Sequence, residues 1–106
     1  MIRRGEIRWY RFTRPDRKRP VLILTRDSVI GRLNEVTVAP ITTSIRDIPT
    51  EVALKGGDEM PRDCAINLDH LQTVPKARLG ALITTLSSTH MDGVRNAILF
   101  ALGFKA

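Results

Sequence analysis

In "GEIRWYRF" Ile7 and Trp9 share one parity while Arg8 takes the other, the alternation of a first strand with one covered face. The next apolar run, "VLILTRD" from Val21, is apolar on both parities, which places that strand at the centre of a sheet. Between the two, "TRPDRKRP" reads as a turn: Pro15-Asp16 supports a tight bend, and Pro20 holds Arg19 extended and opens the second strand. "SVIGRLN" reads as a loop, and "EVTVAPI" resumes β character through Val36 and Val38, with Pro40 expected at a bulge or strand end because it cannot donate to a ladder. "TTSIRDIP" is polar and loop-like, "TEVAL" is a short alternating strand, and "KGGDEMPRD" is the clearest turn region of the chain. "CAINLDHLQTV" holds one or two short strands and "RLGALITTL" another, bent at Gly80.

The period then changes. Met91, Val94, Ile98 and Leu102 recur at helical spacing, Thr89 and Asp92 form a T-x-x-D capping pattern, and Gly103 sits where a helix would stop. Short strands with mostly hairpin-length connections and one amphipathic helix predict a small, strongly bent antiparallel sheet or barrel, with Met91, Val94, Ile98 and Leu102 as the helix face that covers it. The chain of 106 residues, 42% of them hydrophobic, suits one core, so residues 1–106 are read as a single domain.

Charge narrows the partners. A formal net charge of +6 attracts phosphates and carboxylates, which points to nucleic acid or to an acidic protein. The lone Cys64 makes no internal disulfide, no Cys/His set has the spacing of a metal site, and no leader or membrane span is visible; the expectation is a cytoplasmic protein with no metal and no cofactor.

The familiar catalytic signatures are missing: no glycine-rich phosphate loop, no G-x-S-x-G and no H-E-x-x-H. His70 and His90 would make an acid–base pair only if the fold joined them, and His90 falls in the first turn of the predicted helix. The stronger constellation is cationic and hydroxyl-bearing: Arg17, Lys18 and Arg19 before one strand, and Thr42, Thr43, Ser44 and Arg46 after another. Hairpin topology can bring both groups to one rim, where an arginine fork binds two phosphate oxygens and a threonine hydroxyl donates beside it. Solvated turns have the same composition, so from pattern alone both readings stand. Trp9 is read as core or dimer interface ahead of a base-stacking surface, and Phe12, nearer the loop, is placed to stack.

"RRGEI", "RPVLILTRD" after a basic loop, "VTVAPITTSI", "PTEVAL", "LDHLQTV" and "RLG", followed by a C-terminal helix, stand together in one order. In that order they resemble the MazF/PemK/Kid toxins of bacterial toxin–antitoxin systems. The resemblance implies a mainly β fold, an SH3-like barrel of the CcdB/PemK type, forming a homodimer and cleaving single-stranded RNA at short sequence motifs without a metal. It implies Arg19, which directly precedes the proline opening the second strand, and Thr42, which follows the isoleucine of P-I-T, as catalytic residues. Around them Arg17, Lys18, Thr43, Ser44, Arg46, Asp69 and His70 are the expected RNA contacts. The products would be a 2′,3′-cyclic phosphate and a 5′-hydroxyl, and an acidic antitoxin segment would cover the groove.

Two departures from the family pattern affect the chemistry. The first loop is short, leaving Asp16 as the only carboxylate near Arg19, and His70 stands where relatives commonly carry glutamine. A histidine there either stacks on and hydrogen-bonds a base or sits idle at the rim. Two further functions compete: a CcdB-like toxin that binds DNA gyrase without catalysis, and a barrel that binds RNA and leaves it whole.

Overall fold

The computed structural model describes residues 1–12, 17–57 and 59–105. Its strands are β1 (Glu6–Arg11), β2 (Lys18–Ile23), β3 (Glu35–Thr42), β4 (Glu51–Leu54), β5 (Cys64–Asn67), β6 (Gln72–Pro75) and β7 (Leu79–Thr85). A short helix, α1 (Asp27–Ile30), follows β2, and α2 (Ser88–Leu102) ends the fold. The strands pair antiparallel in the order β4-β5-β3-β2-β1-β7, with β6 also paired to β3. Among the described residues no ladder joins β4 to β7, so the expected barrel is instead a bent, open sheet. β4 is only four residues long and lies against α2, which contributes the cover that a closing strand would otherwise give.

The double-parity apolar run of β2 has a direct structural counterpart. Leu22 enters one cluster with Ile7, Ala39, Ile41, Leu54 and Ile66, covered by Val94 and Ala97 of α2. Its neighbours Val21 and Ile23 enter a second cluster with Tyr10, Val36, Val38 and Val74, covered by Ile30 of α1. Successive strand residues point to opposite faces, so a sheet buried on both sides requires apolar side chains at both parities of its central strand. This second cover differs from the loop expected for "SVIGRLN": its first three residues, 28–30, form α1 together with Asp27, and β2 ends at Ile23, ahead of it.

The end of α2 follows its predicted stop and its start does not. Gly103 has φ 77°, its N–H reaches the Phe100 carbonyl at 3.2 Å, and the Phe104 N–H reaches that of Leu99 at 2.8 Å, the paired bonds of a glycine-terminated helix. The N-cap is Ser87, two residues ahead of Thr89: its Oγ accepts the His90 N–H at 3.1 Å, while its own N–H donates to Glu59. Val94 and Ala97 are buried and Met91 and Ile98 pack against the core, but Leu102, expected on the same covered face, is 56% exposed.

Glu6 ties the start of β1 to its surroundings. Its Oε1 accepts from the Arg3 N–H at 3.0 Å and from Arg8 Nε at 2.8 Å. Burial alone would raise its pKa, but the hydrogen bonds from Arg8 and Arg3 and the nearby positive charges together hold it below the ordinary 4.5. A carboxylate whose folded pKa is depressed stabilises the fold above the unfolded value and loses that contribution as pH falls through the folded one. The urea midpoint of the wild type should therefore exceed that of Glu6→Gln at neutral pH, and the gap should close as pH drops below about 4.5. A gap that is constant with pH would mean that the charge contributes nothing.

Candidate functional site

The β2–β3 ladder runs from Ile23↔Val38 through Leu22↔Ala39 to Val21↔Pro40 and stops. Pro20 and Pro40 lie at its end, and neither has an N–H to continue it. Pro40 is thus inside β3 rather than at a bulge, and it marks where one of the strand's partners is lost. Past that point β2 stays paired to β1 (Tyr10↔Arg19) and β3 stays paired to β5 (Thr42↔Ala65), so the strands part into a cleft. Continuing the ladder by two residues sets Arg19 opposite Thr42, one on each wall.

Two cavities flank this pair, of about 780 Å³ and 510 Å³, and both are lined by Arg17, Arg19, Ile41 and Thr42. The first adds Phe12, Pro40, Ser44, Arg46, Asn67, His70 and Gln72. The second adds Trp9, Lys18, Pro20, Thr43, Met60, Pro61, Arg62, Cys64 and Ile83.

The cleft is rich in hydrogen-bond donors. Among the described residues Arg17, Lys18, Arg19 and Arg62 form no ion pair, so their charge is directed at the solvent and at whatever enters. Arg46 differs: its N–H and Nε donate to the two oxygens of Glu51 at 2.9 and 3.1 Å, which neutralises it and fixes its place. Thr42 Oγ1 accepts the Ser44 N–H at 3.0 Å, leaving the hydroxyl hydrogen free to donate into the cleft. Cys64 is buried at the wall of the second cavity, and that burial, with the charge of Asp63, pushes its thiol pKa up, which disfavours the nucleophilic thiolate.

Of the residues singled out in the sequence, Arg17, Lys18, Arg19, Thr42, Thr43, Ser44, Arg46 and His70 all line one cavity or both. Asp69 lines neither; its Oδ2 accepts the Thr50 hydroxyl at 2.6 Å, which pins the turn after β5. Asp16 lies outside the described residues. Trp9, read first as core or dimer interface, is 37% exposed beside the second cavity, with Lys18 Nζ 6.0 Å from its ring centroid. It shares the parity of Ile7 but sits beyond the reach of the main core. Phe12 lines the first cavity and meets Tyr10 edge-on, ring centroids 4.8 Å apart. His90 bonds Glu59 and Ser87 at the start of α2 and lines neither cavity, so the two histidines do not form a pair.

Asn67, Gln72 and Arg62 were not foreseen. The first two reach the cleft through the pairing of β5 and β6 with β3, and Arg62 through the turn after β4. That turn depends on Gly56: a Cβ there would lie 2.6 Å from the Arg62 Cα and 2.9 Å from the Asp63 nitrogen, both backbone. Gly56→Ala should cost about 1–3 kcal/mol and displace Arg62. Gly31→Ala, with nothing within 4 Å of its added Cβ, should be near neutral; thermal denaturation of the two variants side by side checks this.

The parted strands of a small bent sheet thus present arginines that, among the described residues, form no ion pair, beside a threonine hydroxyl, a donor set of the kind that suits an anion such as a phosphodiester. Residues 3–102 match the model of the PemK-like, MazF-like toxins of type II toxin-antitoxin systems, and the chain belongs to that family. It is 39% identical over 100 residues to "Probable endoribonuclease MazF5" of Mycobacterium tuberculosis, covering 93% of this chain and 91% of that protein. It is 40% identical over 83 residues to "Endoribonuclease MazF3" of the same species, covering 78% and 81%. The solved structure of Mycobacterium tuberculosis toxin MazF-mt6 superimposes with a TM-score of 0.86 at 35% identity, covering 95% of this chain and 99% of that one.

Proposed function

We propose that the protein is a metal-independent, sequence-specific endoribonuclease toxin acting on single-stranded RNA. The observation that carries this reading is the placement of Arg19 and Thr42 on facing walls where the β2–β3 ladder ends, with a cavity on either side to take the flanking nucleotides. In the reaction a ribose 2′-oxygen attacks its own 3′-phosphorus and the bond to the 5′-oxygen breaks. The proton lost by the nucleophile is matched by one gained at the leaving oxygen, giving a 2′,3′-cyclic phosphate and a 5′-hydroxyl. Arg19 stabilises the charge that builds on the non-bridging oxygens, and the Thr42 hydroxyl donates to the same phosphate. Arg17, Lys18 and Arg62 hold the neighbouring phosphates.

Membership of the toxin family and relatives of 39% and 40% identity named as endoribonucleases support this reading over the gyrase-binding alternative. The remaining elements of the proposal are a homodimer, a cytoplasmic site of action and an acidic antitoxin segment laid over the cationic cleft, which the net charge of +6 favours.

The test is incubation with a long unstructured RNA and with DNA of matching sequence in EDTA, mapping every new end. Discrete cuts in RNA alone, ending in cyclic phosphate and lost in Thr42→Val, are the expected outcome, because DNA lacks the nucleophile and valine lacks the donor. RNA that binds and stays whole would leave a non-catalytic RNA-binding protein instead.

A further inference from the structure

Asn67 closes β5 as a buried side chain whose two ends are both engaged. Its Oδ1 accepts the Asp69 N–H at 3.0 Å, and its Nδ2 lies 3.2 Å from His70 Nδ1. The first bond fixes which way the amide faces, since only the carbonyl oxygen can accept from a backbone N–H. The NH₂ end therefore points at the imidazole, and because it only donates, Nδ1 of His70 must accept. A neutral imidazole that accepts at Nδ1 carries its hydrogen on Nε2. The turn itself is held: Thr50 donates to Asp69 Oδ2 at 2.6 Å, and the Leu68 N–H donates to the Thr50 carbonyl at 2.9 Å. His70 is exposed and lines the first cavity, so its remaining ring nitrogen is left for whatever occupies that space.

We infer that Asn67 is a positioning residue that fixes His70 as a hydrogen-bond donor, and that the nucleotide in the first cavity is thereby selected for a keto base, guanine or uracil. This rests on the endoribonuclease reading. For a base that presents its 6- or 4-position to His70, the keto oxygen of guanine or uracil accepts from Nε2–H, whereas the amino group that adenine or cytosine carries there meets it donor to donor. The same hydrogen placement rules the neutral His70 ring out as the base that takes the 2′-hydroxyl proton: Nδ1 is engaged and Nε2 is already protonated.

The tautomer is read directly by ¹⁵N NMR of histidine-labelled protein without RNA, at a pH where the ring is neutral, with His70→Ala assigning the signals. The expected spectrum has an unprotonated Nδ1 and a protonated Nε2 in the wild type, and in Asn67→Leu a shift of both toward a tautomeric average. In cleavage of a randomised single-stranded RNA, one position of the aligned cuts should favour G or U over A or C by about tenfold, the scale of one hydrogen bond. That preference should vanish in His70→Ala and weaken in Asn67→Leu, while preferences at other positions persist. A protonated Nδ1 in the wild type, or a preference unchanged in His70→Ala, overturns the inference; neither result depends on whether Asn67→Leu folds. If the wild type cuts no RNA, the nuclease reading fails by itself. Oligouridylate and oligocytidylate binding then decides the inference: tighter binding of the former, lost in His70→Ala, supports it, and equal binding overturns it.

Discussion

Arg19→Ala is expected to reduce cleavage of single-stranded RNA by about 10²–10³-fold, the usual cost of removing one preorganised donor from a developing oxyanion. The loss should fall on kcat more than on KM, because Arg17, Lys18 and Arg62 remain to bind the backbone. The fold should survive: Arg19 is exposed, and its backbone pairing with Tyr10 does not involve the side chain. Arg19→Lys sharpens the test. Lysine keeps the charge but lacks the planar fork, so most of the loss should remain if two phosphate oxygens are held at once. Recovery to near wild-type rates in Arg19→Lys would mean that only a point charge is needed. Full activity in Arg19→Ala, measured with matched circular dichroism, would remove the residue from the mechanism.

The largest stability effect should come from Leu22→Ala. Leu22 is fully buried on the central strand, backed by Ile7 and Ala39 as its ladder partners, and its cluster is covered by α2. Truncating a leucine at such a site costs about 2–5 kcal/mol, since the lost transfer energy is joined by that of a cavity the sheet cannot close. For a domain whose whole stability is about 5–15 kcal/mol this is a large share, and Tm should drop by more than about 10 °C. Leu82→Ala is the control: on β7 and 48% exposed, it should shift stability by no more than about 0.5 kcal/mol. Equal losses in the two variants would show that the cluster under α2 is not the main core.

The sequence made the walls of the cleft legible and left the floor hidden. Arg19 and Thr42, which line both cavities, belong to the basic and hydroxyl-bearing groups that local pattern places at strand ends, and it is the family resemblance that singles the two out; Pro20 and Pro40 lie where the β2–β3 ladder stops. Asn67 and Gln72 carry no comparable local signal; they reach the cleft through ladders such as Ile41↔Ile66 and Val38↔Gln72, which join distant segments. The helix start was misplaced for a related reason. Ser87 and Thr89 are both competent caps, and the choice falls to Ser87, whose N–H also has Glu59 as a partner, 28 residues away. The strand pattern allowed either a bent sheet or a barrel and the family resemblance implied the barrel; neither reports that, among the described residues, β4 and β7 stay unjoined.

The order of strands has a consequence for synthesis. The lining of the cleft draws on residues from Trp9 to Ile83, and β1 finds one of its two ladders only in β7, through pairs such as Ile7↔Thr84. A chain leaving the ribosome therefore carries Arg19 and Thr42 early but holds no complete cleft until β7 has emerged, and the core under α2 is finished later still. The site is therefore assembled only once β7 has been made, well after Arg19 and Thr42 have left the ribosome.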